Sequence, residues 1–96
     1  MKLENVAIVS KVGNKDSEES AVDVAKKLLV KNATVYTISP VSVEGAKQME
    51  TLEEIKNVKL DLVITLGGDG TTLRVFRNLE NETPVLTINV GGIEGY

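Results

Sequence analysis

The 96-residue chain contains no cysteine, no histidine and no tryptophan. Without cysteine there is no disulfide and no thiolate nucleophile, and with histidine gone as well there is no Cys/His zinc site. Without histidine there is no imidazole base and no Ser-His-Asp triad. The chain also lacks a basic excess: 11 Lys and Arg stand against 14 Asp and Glu, for a net charge of −3 and a pI near 4.9. That balance argues against nucleic-acid binding as the main role, because phosphate backbones are bound by clustered Lys and Arg. Long apolar runs are missing too. The run over residues 6–9 is far shorter than a signal-peptide core or a membrane span. A soluble, cytoplasmic protein with no membrane partner is the expectation, and the absence of cysteine fits a reducing compartment.

What is present reads as globular: 42% hydrophobic and 26% charged residues. The length sets a ceiling of one domain over residues 1–96. Residues 6–9 form a continuous apolar run of the kind found in strands buried on both faces of a parallel sheet. After a polar loop, Asp16 reads as a helix N-cap, with Glu18 and Glu19 in the first turn. Ala21, Val22, Val24, Ala25, Leu28 and Leu29 then recur at helical spacing, predicting a helix over 17–31. Lys26, Lys27 and Lys31 fall late in it, where cations suit the dipole, and read as a solvated face. Residues 33–39 are rich in β-branched and aromatic side chains and predict a second strand, stopped by Pro40. Between 41 and 58 the pattern is weak; Gly45 interrupts any long helix, and a short one over 52–56 is expected. Residues 60–66 predict a third, fully buried strand, 71–79 a helix with Leu73 and Phe76 in the core, and 84–90 a fourth strand. The order is βαβ(α)βαβ. It implies an α/β fold with an open, mostly parallel four-stranded sheet and helices on both faces.

The chemistry concentrates in Leu66-Gly67-Gly68-Asp69-Gly70-Thr71-Thr72, which joins the carboxyl end of a buried strand to a helix start. In open α/β sheets, ligands bind in that crevice. Gly67, Gly68 and Gly70 let main-chain N–H groups approach a ligand with no Cβ in the way. The helix start adds unpaired N–H groups and a positive dipole end, suited to phosphate. Asp69 brings a carboxylate into this anion-suited place. It is best explained by a hydroxyl to be deprotonated or a divalent metal carrying phosphates. The plainer alternative makes Asp69 the helix N-cap and the glycines a tight turn. The placement of the whole run at a strand-to-helix switch favours a ligand site. A GK[ST] sequence and the GxGxxG spacing are both absent, which excludes a Walker-type loop and the dinucleotide fingerprint. Arg74 and Arg77 read as solvated helix positions, with Arg74 the nearer to a bound phosphate.

Gly67-Gly68-Asp69-Gly70-Thr71 resembles the motif of the NAD kinase family. Pro84-Val85-Leu86-Thr87-Ile88-Asn89-Val90-Gly91 is similar to the family's next strand, ending in Asn-x-Gly, and Gly95-Tyr96 stands near its Gly-Phe element, with one residue inserted. The resemblance implies a Rossmann/flavodoxin-like N-terminal domain. It implies transfer of a phosphoryl group from ATP, or polyphosphate in some members, to the adenosine-ribose 2′-hydroxyl of NAD, giving NADP, with Mg²⁺ or another divalent ion. Asp69 would be the base near that hydroxyl, and Gly67, Gly68, Gly70 and Thr71 would line the nucleotide and phosphate site. Asn89 is either a site residue or a cap of the strand end, and Tyr96 would pack near the adenine. The family's second, β-rich domain, with its Asn-Glu motif, is missing from this chain; Asn81-Glu82 reads as a solvated turn before the fourth strand. The chain alone is therefore expected to be inactive, and the full-length protein to be a homo-oligomer. Two alternatives stand beside this reading. One is a diacylglycerol or sphingoid-base lipid kinase, which shares the GGDGT loop but follows it with a different run. The other is a non-catalytic nucleotide-binding module, since fold does not dictate function.

Overall fold

A computed structural model of the chain describes residues 4–11, 13–79 and 83–89, with Asp69 and Asn89 described through their main chain. The elements are β1 (Asn5–Ser10), α1 (Lys15–Val30), β2 (Thr34–Ile38), β3 (Lys47–Met49), a 3-10 helix (Leu52–Asn57), β4 (Leu62–Gly67), α2 (Asp69–Asn78) and β5 (Val85–Asn89). The strands form one parallel sheet in the order β3-β2-β1-β4-β5.

The sheet thus has five strands, not four. The added strand, β3, is Lys47-Gln48-Met49, with only Met49 buried. It carries no apolar run to reveal it; pairing with Tyr36, Thr37 and Ile38 of β2 creates it. Lys47 Nζ lies 5.9 Å from the Tyr36 ring centroid, so the polar edge strand also has a cation–π contact. The expected short helix is a 3-10 helix, entered through Glu54, whose Oε2 accepts the Glu50 and Thr51 N–H groups at 2.9 and 3.0 Å.

Helix α1 starts earlier than Asp16 suggests. Its N-cap is Asn14, whose Oδ1 accepts the Ser17 N–H at 2.8 Å, and Asp16 sits within the first turn. The cap shift has a simple cause: Ser17 is wholly buried, and three-residue reach from Asn14 satisfies its amide there. Lys31 is the C-cap, and the left-handed Asn32 (φ 67°) turns the chain into β2.

Two apolar layers sandwich the sheet. On one face, Val6 and Ile8 of β1, Val35 of β2 and Ile64 and Leu66 of β4 pack against Ala21 and Ala25 of α1. On the other, Ala7, Val9 and Val63 meet Leu52 and Ile55 of the 3-10 helix and Val75 of α2. This is why β1 and β4 are apolar without alternation.

The expected fourth strand is β5, at the edge of the sheet among the described residues, and Leu86 on it is 50% exposed. α1 packs over β1, β2 and β4. The α2 core assignment also changes. Leu73 and Phe76 are 55% and 54% exposed, whereas Thr71 and Val75 are buried and Leu79 packs beside them. The buried stripe runs i, i+4, i+8 from Thr71, so Leu73 and Phe76 fall to its side.

Candidate functional site

Chain order reverses between β1 and β4: β2 and β3 lie to one side of β1, and β5 lies beyond β4. The connections that leave the carboxyl ends of β1 and β4 therefore run to opposite faces of the sheet, to α1 and to α2, at a topological switch point where such sheets open a crevice. β1 delivers Lys11 to this place, and β4 delivers Gly67 and Gly68. The two ends are locked together. The Leu66 carbonyl accepts the Lys11 N–H at 3.0 Å and the Ser17 hydroxyl at 2.8 Å.

The glycines divide by role. Gly67 has φ +151°, and a Cβ there would lie 2.9 Å from Thr71 Oγ1 and 3.1 Å from Lys11 Cβ. Only glycine lets the chain turn at this point. Gly68 and Gly70 have nothing within 4 Å of a Cβ position. Their glycine character leaves the start of α2 open to solvent rather than relieving a clash. The N-cap of α2 is Gly68, so Asp69 is the first residue inside the helix and not its cap. That removes the plainer reading of Asp69 as a capping residue.

The first turn of α2 is pinned to the sheet by three hydroxyls. Thr72 Oγ1 lies 3.1 Å from Thr65 Oγ1 and 3.2 Å from Thr87 Oγ1, and Thr65 and Thr87 are 3.2 Å apart. The closed triangle joins α2 to β4 and β5 directly beneath the glycine loop. Thr71, one residue earlier, is 5% exposed. It lines a cleft of about 470 Å³ with Lys11, Gly70, Leu73, Arg74 and Arg77.

The structure brings Gly67, Gly68, Gly70 and Thr71 together around the main chain of Asp69. Asn89 pairs in register with Gly67, so the end of β5 adjoins the loop. Tyr96 lies outside the described residues, as do Gly91, Gly92, Gly95 and the Asn81-Glu82 pair. Lys26, Lys27 and Lys31 are exposed on α1. Lys11 is the residue that sequence reasoning passed over. Its signal was its place as the first residue after β1, but only strand order shows that β1 adjoins the glycine strand.

Among the described residues no three His, Cys, Asp or Glu side chains gather as a metal-holding group, and no helix is long and apolar enough to cross a membrane. The cleft offers cations, a hydroxyl and open main chain, which is the chemistry of an anion site.

Fold and site together define a doubly wound α/β domain with a glycine loop at its switch point. The ATP-NAD kinase N-terminal domain profile matches residues 6–95, and the chain belongs to that family. NAD kinase 1 of Prochlorococcus marinus is 36% identical over all of this chain, which covers 31% of that relative. The NAD kinase of Methanothermobacter thermautotrophicus is 32% identical over 92% of this chain and 31% of its own length. The crystal structure of yeast NADH kinase complexed with NADH superposes with a TM-score of 0.79 at 24% identity, over 94% of this chain and 30% of that one, a likeness of fold. The chain thus spans about a third of the length of these relatives. Membership sets aside the lipid-kinase alternative.

Proposed function

We propose that this chain is the N-terminal α/β domain of a NAD kinase. In the full-length protein it would take part in moving a phosphoryl group from ATP, or from polyphosphate, to the adenosine-ribose 2′-hydroxyl of NAD. One observation carries the reading: the family's glycine loop stands at the switch point beside a cleft lined by cations. In this reading Gly68 and Gly70 give the donor's phosphates access to the first N–H groups of α2. Asp69, at the first helical position, takes the proton from the ribose hydroxyl, and Thr71 lines the phosphate site. Asn89, beside Gly67, and Tyr96 complete the nucleotide side. A divalent ion would supply charge neutralisation for the phosphates. The residues present fit an ion carried in by the donor rather than one caged by protein, since the loop offers a single carboxylate, Asp69. The second, β-rich domain belongs to the remaining two-thirds of the relatives' length, and we place the working protein in the cytoplasm as a homo-oligomer.

The test is NADP formation from NAD with ATP–Mg²⁺ or polyphosphate, by the protein of the full open reading frame and by the 96-residue chain. The full protein should turn over and the chain alone should not, because phosphoryl transfer depends on complete positioning. Asp69→Asn should lower kcat by about 10²–10⁴-fold, the usual contribution of a general base, while NAD still binds. Wild-type turnover by that variant would remove Asp69 as the base.

A further inference from the structure

Lys11 stands on a different element from the glycine loop and belongs to no family motif read above. Its main chain is held by the Leu66 carbonyl, and its Cβ abuts the Gly67 turn. The side chain thus leaves from the floor of the loop and lines the same cleft as Thr71, Arg74 and Arg77. Among the described residues none of these three cations is engaged in an ion pair, although the chain carries more acidic than basic residues. The buried Thr71 lines the same cleft, and its hydroxyl stands, like the Lys11 Cβ, against the Gly67 turn. From Thr71 to Arg77 the helix rises about 9 Å, so the cations are arrayed along a line rather than around a point. A linear anion with several charges fits that array better than a single small ion.

Resting on the NAD kinase reading for its biological donor, we propose that Lys11 is a positioning residue that grips the condensed-phosphate chain of the phosphoryl donor, together with the Thr71 hydroxyl and Arg74. The shared chemistry is a chain of phosphates, whether it belongs to a nucleoside triphosphate or to inorganic polyphosphate. A lysine suits this place: its ammonium is a mobile point charge on a long stem, able to follow a flexible phosphate chain.

The experiment uses the full-length protein, with Lys11→Met and Lys11→Arg. Inorganic tripolyphosphate and ATP–Mg²⁺ are titrated calorimetrically, and KM is measured separately for ATP and for NAD. Loss of one charge-assisted contact should weaken both phosphate ligands by about tenfold or more in Lys11→Met. KM for ATP should rise in step, KM for NAD should stay within about twofold, and Lys11→Arg should recover most of the affinity. Because Lys11 is exposed, melting of the variant should match wild type. Unchanged tripolyphosphate affinity in Lys11→Met would overturn the inference even if the protein makes NADP. Loss for ATP alone would also overturn it, since the contact would then be to the nucleoside. If wild type makes no NADP yet binds tripolyphosphate in a Lys11-dependent way, the kinase reading falls and the phosphate grip stands.

Discussion

The buried hydroxyl of Ser17 donates a 2.8 Å hydrogen bond to the carbonyl of Leu66, 49 residues away in sequence. It ties the first turn of α1 to the last residue of β4 before the glycine loop. The same carbonyl accepts the Lys11 N–H, so one oxygen gathers β1, α1 and β4 at the switch point. Ser17→Ala leaves the carbonyl with its main-chain donor and creates only a small void. A loss of about 1 kcal/mol is expected, with Tm lower by about 4–8 °C, as for domains of this size. Thermal melts of the two proteins check it; an unchanged Tm would mean that Lys11 alone holds the carbonyl.

Two of the loop glycines, Gly67 and Gly70, should answer to alanine in opposite ways. Gly67→Ala meets Thr71 Oγ1 at 2.9 Å in a positive-φ conformation, so about 1–3 kcal/mol of destabilisation is expected. Gly70 lies in the exposed first turn of α2 with open space around it. Gly70→Ala should therefore raise stability by about 0.4–1 kcal/mol through the unfolded state. The same methyl would stand in the cleft and weaken ATP–Mg²⁺ binding. Denaturant titrations paired with calorimetry separate the two effects, and equal destabilisation by both variants would contradict the assigned geometry.

Thr37 of β2 is wholly buried, and its hydroxyl has no hydrogen-bond partner among the described residues. Valine has nearly the same shape without the polar atom. Thr37→Val should stabilise the domain by about 1 kcal/mol, the lower end of the cost of an unsatisfied buried group. A urea midpoint shifted upward at constant m-value is the expected record, and a downward shift would reveal a partner for the hydroxyl.

Asp61 joins the start of β4 to the start of β1. Its Oδ2 accepts the N–H groups of Asn5 and Glu4 at 2.9 and 3.0 Å, and these bonds hold its carboxyl below the usual carboxylate range, with a smaller contribution from Lys59. A depressed folded-state pKa means that the contribution is complete above the unfolded carboxylate value. It is lost as pH falls through the folded value. Stability should thus decline below about pH 4 in the wild type. Asp61→Asn should be less stable at neutral pH and show a shallower acid limb. Parallel acid limbs in wild type and variant would exclude this linkage.

Much of this architecture was legible in the residues themselves. Non-alternating apolar runs at β1 and β4 already required a parallel sheet covered on both faces, and the glycine run between strand and helix already marked the crevice. α1 was legible from its 3.6-residue spacing, although its cap was misplaced by two residues because Asn14 and Asp16 are both competent caps. β3 was not legible, because a three-residue polar edge strand exists only through its partner β2. Nor was the exposure of Leu73, Phe76 and Leu86, since helical spacing names a stripe but not which side of it the sheet will cover. Lys11 is the sharpest case. The sequence by itself determined the class of sheet, the loop and its family likeness, because periodicity and glycine placement act over a few neighbouring residues. Only the tertiary structure decided that Lys11, Ser17 and Leu66 meet at the mouth of that loop. Strand order is a matter of long-range pairing, and no local pattern in the chain records it.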